Sequence, residues 1–144
     1  MKNLCKGLVL IGLLLMTFPV YSFEYTYEGN TLEYTELADG TVSVKKGSVA
    51  PQGALVIPEK AVDGDVSYTV TVIAENGFKD CSAIISVELP TTIKTIEAYG
   101  FRGCTSMTSI ALNEGLNTIG HHAFTQDAAL TVLTLSSTVT TIGD

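Results

Sequence analysis

A fixed step of 23 residues constrains this chain more than any other feature. Ile73, Ile96, Ile119 and Ile142 stand one step apart, as do Phe78, Phe101 and Phe124. The same step links Ile84, Met107 and Leu130, then Val87, Ile110 and Leu133. Leu89, Leu112 and Leu135 continue it, and so do Ile93, Leu116 and Val139. Self-similarity at such a period is the signature of a repeat architecture. A small residue precedes each phenylalanine (Gly77, Gly100, Ala123), and threonine precedes three of the four isoleucines (Thr95, Thr118, Thr141). A unit this short cannot bury enough apolar surface alone. Stacked units cover one another's apolar columns and supply one another's strand hydrogen bonds, which predicts a mainly β solenoid. Equivalent residues then form ladders about 4.8 Å apart, the interstrand distance.

Within a unit, residues 87–89 alternate inward and outward and predict the main strand. Residues 93–96 predict a second short β stretch, with a turn implied by the step of three. The i, i+3, i+6 spacing across 78–84 predicts a turn or short 3₁₀ segment.

The rest of the chain divides around the repeat. Lys2 and Lys6 precede an uncharged, mostly apolar run over 7–20 that contains Leu13, Leu14 and Leu15, and Val20-Tyr21-Ser22 follows. This three-part order predicts a secretory signal peptide over 1–22. A spanning helix needs about 20 apolar residues, and Pro19 would end a helix there. Cys5 lies before the apolar run rather than just after it, which argues against a lipid anchor. Residues 23–27, 32–37 and 41–45 predict three strands joined at Gly29-Asn30 and Asp39-Gly40, a small β-meander suited to capping the first coil. Leu55-Val56-Ile57-Pro58 echoes Val87-Glu88-Leu89-Pro90 at an offset of 32, nine more than the period. It predicts a degenerate first coil carrying a nine-residue insertion near 63–65, a hairpin leading into 68–73. The expected organisation is a leader over 1–22, a β cap with the degenerate coil over 23–69, and a solenoid over 70–144. The sequence stops four residues into a fourth unit, which leaves Phe124, Leu130, Leu133, Leu135 and Val139 facing water, so a longer repeat protein is expected.

Eight basic and 15 acidic residues make the whole chain −7. Without residues 1–22 it keeps six basic residues and all 15 acidic ones, a net −9. Such a balance disfavours a nucleic-acid partner.

No arrangement of side chains points to catalysis. There is no nucleophile elbow, no phosphate-binding glycine loop and no paired Cys-x-x-Cys. Cys81 and Cys104 share a column. An oxidising setting permits a disulfide, but parallel stacking places the Cβ atoms poorly for one, so buried free thiols are expected. The adjacent His121 and His122 fall in a turn and lack the further ligands a metal site requires. Asp63-Gly64-Asp65 lacks the remaining positions of a calcium loop and reads as a turn. Neither a cofactor nor a metal is expected. A binding surface is the better expectation, and the outward residues of the main strand are its candidates: Ser86, Glu88, Ser109, Ala111, Val132 and Thr134.

The residues Ile84, Val87, Leu89, Pro90, Ile93, Ile96, Gly100, Phe101 and Cys104 spell a motif that resembles the 23-residue leucine-rich repeat of the BspA-like bacterial surface proteins. The resemblance covers 70–144. It departs where Asn113 and Ser136 replace proline, where Asp127 replaces cysteine, and where Glu97 stands in a column otherwise held by Gly120 and Gly143. The asparagine ladder of the eukaryotic repeat type is absent, so its helical convex face is not expected. The structural ladder implied is Ile73, Ile96, Ile119, Phe78, Phe101, Phe124, Leu89, Leu112 and Leu135. The resemblance implies a secreted or cell-surface, non-enzymatic protein that contacts host proteins, matrix or other cells. A structural spacer is one alternative. A secreted carbohydrate-binding module is another, and it would rely on Tyr25, Tyr27 and Tyr34.

Overall fold

The structure is a computed structural model that describes residues 20–144. The expected leader lies almost wholly outside the described residues. The chain opens with an antiparallel meander of β1 (Ser22–Tyr27), β2 (Asn30–Glu36) and β3 (Val42–Lys46). Phe23, Leu32, Tyr34, Val42 and Val44 point inward from it and are buried. Alternation along β2 puts Leu32 and Tyr34 on one face, as the two-residue period of a strand requires.

β4 (Gly53–Val56) leaves the meander and pairs in parallel with a later strand, so Leu55 occupies the first rung of a second sheet. β5 (Lys60–Asp63) and β6 (Val66–Ile73) form an antiparallel hairpin across Gly64-Asp65. Gly64 has a φ of 59°, the left-handed conformation such a tight turn needs. β6 is the junction of the molecule. It pairs with β5 on one side and lies parallel to β3 and to the first short strand of the coils.

From there the chain winds. β7 (Ile84–Glu88) and β9 (Ser109–Ala111) enter one sheet, and β8 (Thr95–Ile96), β10 (Thr118–Ile119) and β11 (Thr141–Ile142) enter the other, each pairing in parallel with its equivalents. One sheet runs β1-β2-β3-β6-β8-β10-β11, with β5 beside β6, and the other runs β4-β7-β9. The pairings Ile73 to Ile96, Ile96 to Ile119 and Ile119 to Ile142 carry the 23-residue step through the short-strand sheet.

A third ladder joins the turns. The N–H groups of Asn76, Tyr99 and His122 donate to the carbonyls of Ala98, His121 and Asp144 on the next coil. Those of Phe78 and Phe101 donate likewise to Gly100 and Ala123. Inside this ladder the phenylalanines stack, with ring centroids 5.3 Å apart for Phe78 and Phe101 and 5.9 Å for Phe101 and Phe124. Within each turn the bonds are i to i−3, as from Cys81 to Phe78 and from Cys104 to Phe101. One apolar core runs from Phe23 in the meander to Ala123 in the third coil.

The third coil departs from expectation. Residues 130–135 form no strand, so the sheet of main strands stops at β9. Leu135 is 44% exposed and Ile142 is 56% exposed, although both belong to columns that are buried in earlier coils or half-buried there. Leu89, Leu112 and Phe124 are half-buried rather than fully enclosed. The physical reason is coverage. A middle rung is packed and hydrogen-bonded from both sides, and the last described rung from one.

The column of Ala74 and Glu97 tolerates a side chain on the earlier rungs but not at Gly120. A Cβ there would lie 2.4 Å from the Ala98 nitrogen, so only glycine lets this rung approach the one before it. Asn113 replaces the proline of the first unit and is buried, its side-chain amide donating to the Ile93 carbonyl at 3.0 Å.

Candidate interaction surfaces

The residues expected to face a partner come from two kinds of backbone. Glu88, Ser109 and Ala111 are exposed on β7 and β9, and Ser86 is half-buried beside them. Val132 and Thr134 are exposed too, but on the irregular segment of the third coil, so they do not extend the strand face. Ile85, which the sequence reading did not single out, is 53% exposed next to this face.

A second surface lies on the turns and was missed from sequence. Its centre is Tyr99, half-buried on the second coil. The Arg102 guanidinium sits 5.5 Å from the Tyr99 ring centroid and the Lys79 ammonium 6.0 Å from it. His121 meets the ring edge-on at 5.0 Å, and His122 lies at 5.5 Å and stacks on His121 at 4.5 Å. Lys46 joins from the meander, its ammonium donating to the Lys79 carbonyl at 2.7 Å. Column register was the available signal. Lys79 and Arg102 are one period apart, and so are Tyr99 and His122. The interactions across neighbouring columns appear only once the turn is folded.

The two cysteines are buried free thiols. The Cys104 thiol donates to the Phe78 carbonyl at 3.3 Å. Burial, helped by the Asp127 carboxylate, pushes this thiol up to about 12, and burial also raises Cys81. Neither is therefore an activated nucleophile. Asp127 stands where the first two units have cysteine. It is buried, and one carboxylate oxygen accepts the Cys104 N–H at 2.8 Å while the other has no partner. Desolvation raises its carboxyl to about 6.

Among the described residues no three His, Cys, Asp or Glu side chains gather to hold a metal ion. His121 and His122 are exposed, and Asp63-Gly64-Asp65 forms the β5–β6 turn. The tyrosines proposed for a sugar platform do not form one. Tyr34 is fully buried with its hydroxyl unpartnered, and Tyr25 packs edge-on against it. Alternation along β2 sends Tyr34 into the core, so it cannot stack on a sugar.

Residues 63–144 match the BspA type leucine rich repeat region, in six copies. This chain belongs to that family. Its fold is similar to the crystal structure of a leucine rich repeat protein from T. pallidum, with a TM-score of 0.72 at 27% identity. That match covers 83% of this chain and 53% of the other. It is also similar to a leucine rich cell surface protein from Faecalibacterium prausnitzii, with a TM-score of 0.69 at 26% identity over 83% of this chain and 32% of that one. A leucine-rich repeat protein from Bacteroides capillosus matches with a TM-score of 0.55 at 27% identity, over 61% of this chain and 65% of that one. The chain thus spans about half the length of the first of these and a third of the second. No curated protein matches it. No helix among the described residues is long and apolar enough to cross a membrane.

Proposed function

We propose that this BspA-type repeat chain is a secreted or cell-surface protein that acts by binding, as an adhesion or interaction module, and carries no catalytic activity. The observation that carries this reading is the form of the coils. Parallel ladders repeat each surface position at a fixed step, which makes an extended face suited to a large partner. Among the described residues the buried thiols and the unconverged carboxylates and histidines offer no nucleophile–base pair. Support for the location comes from the leader pattern over 1–22 and from the F. prausnitzii relative, which is described as a cell surface protein.

Two measurements test the reading. Fractionation with N-terminal mass determination should find the protein outside the cytoplasm and cut after Ser22. The exported protein should also bind intact host cells or an array of extracellular-matrix proteins. Retention in the cytoplasm with residues 1–22 intact would overturn the location. Absence of binding to every surface presented would overturn the adhesive role.

A further inference from the structure

We propose that the turn face around Tyr99 binds an anionic polysaccharide, whose sulfate or carboxylate groups seat on Lys79, Arg102 and the neighbouring imidazoles. The inference rests on the binding role above and gives it a face and a ligand chemistry.

Charge placement is the first argument. Residues 20–144 hold six basic residues against 15 acidic ones, and three of the six, Lys46, Lys79 and Arg102, lie along this face. None of the three is in an ion pair among the described residues. The carboxylates are sorted by coil. Glu75 and Asp80 flank Lys79 on the first coil, but the same columns hold Ala98 and Gly103 on the second, then His121 and Gln126 on the third. Glu97 is turned to the Glu75 N–H, which it accepts at 2.9 Å, and Asp127 is buried. Asp144 follows the third coil, where its carbonyl accepts the His122 N–H. The face is therefore mixed in sign at its first coil, where Asp80 reaches the Gly103 backbone and Glu97 the Glu75 backbone, whereas residues 98–103 and 121–126 themselves contribute no carboxylate.

Preorganisation is the second argument. Lysine and arginine lose rotamer freedom when they bind, which weakens most surface cation sites. Here both cations lie over the Tyr99 ring, and His121 and His122 pack against the same ring. The ring is thus a scaffold for the cations rather than an open stacking platform.

Backbone strain is the third. Asn76, Tyr99 and His122 share a column whose φ angles are 55°, 59° and 55°. Asparagine and histidine adopt this left-handed region readily, whereas a bulky residue such as tyrosine does so rarely and under strain. The second coil thus carries a strained tyrosine at a position where Asn76 shows the low-cost solution. Strain of this kind is characteristic of binding sites.

Spacing selects the ligand. Cations on successive coils repeat at about 4.8 Å, whereas same-side carboxylates on an extended peptide repeat at about 6.6–6.8 Å. A charged sugar chain presents an ionic group on successive rings, much closer to the coil step. Its hydroxyls also suit the imidazole and phenol groups.

The test measures retention of the purified protein on immobilised dextran sulfate, with uncharged dextran and poly-glutamate alongside. Binding to dextran sulfate should weaken as salt rises. The Lys79→Ala/Arg102→Ala double variant should bind about tenfold or more weakly, and Lys60→Ala, on the distant hairpin, should bind as the parent does. Tyr99→Asn is the decisive variant. It should raise Tm while weakening retention, so that its loss of binding cannot come from unfolding. Unchanged binding by the double variant would overturn the proposal, and so would poly-glutamate bound as tightly as dextran sulfate, which would assign the face to an acidic protein. Dextran sulfate binding by a protein found in the cytoplasm would leave this inference standing and sink the surface role instead.

Discussion

Phe101 is the side chain on which the stacking argument bears most directly. It is fully buried and lies between Phe78 and Phe124 in the ring stack. Phe101→Ala should cost about 3–5 kcal/mol of unfolding free energy in denaturant titration. A loss below about 1 kcal/mol would show that the stack contributes little. Asp127 makes the opposite kind of prediction. Its folded carboxyl is raised from 3.8 to about 6 by desolvation, so the folded state holds the proton more tightly than the unfolded chain. The protein should therefore be most stable below about pH 4 with respect to this group and lose stability as pH rises from about 4 to 6. Discounted for partial solvation, the loss should be about 1–2 kcal/mol. Asp127→Asn should flatten that slope and raise stability at neutral pH, because an amide oxygen still accepts the Cys104 N–H without a charge to desolvate. An unchanged pH profile in this variant would refute the assignment. Both residues stand in columns that are readable from the 23-residue step. Their energetics were not readable, since burial of one Asp127 oxygen without a partner depends on how the third coil lies against Cys104.

At the scale of elements, the coil is the unit that can be moved. Each coil bonds to its neighbours through equivalent positions, such as Ile73, Ile96 and Ile119 in the short strands. Excising the 23 residues from Thr95 to Asn117 should join Lys94 to Thr118 and leave a shorter folded solenoid. Its circular dichroism should retain the β signature and cooperative melting. Excising 22 residues instead should abolish cooperative melting, because every inward column would shift by one. Gly120→Ala tests the closeness of the rungs. The added methyl would meet the Ala98 backbone, and the cost should be about 1–3 kcal/mol by thermal or chemical denaturation. The expected strands at 23–27, 32–37 and 41–45 correspond to β1, β2 and β3 within one or two residues. The main strand of the third coil does not form, because alternation favours a strand most where neighbours pair on both sides, and this rung has them on one side.

Across the whole molecule, order should grade along the solenoid axis. The middle coils hold Phe78, Ile84, Ile96 and Phe101 with no exposed surface, whereas Val132, Leu135 and Ile142 are exposed. Amide exchange should accordingly be slowest in β6, β7 and β8 and fastest over residues 130–144. Uniform protection over all coils would contradict a one-dimensional stack. The sequence by itself determined the period, the inward columns, the turn positions and the family, because each of these is a local pattern repeated at a fixed step. Only the tertiary structure decided which surfaces exist. It buried Tyr34, exposed Leu135, and gathered Lys46, Lys79, Arg102 and two histidines around Tyr99 on a chain that is acidic overall. The physical reason is that a column places equivalent residues one above another, whereas a binding face also needs neighbouring columns brought side by side, and the curvature of the folded turn sets that distance.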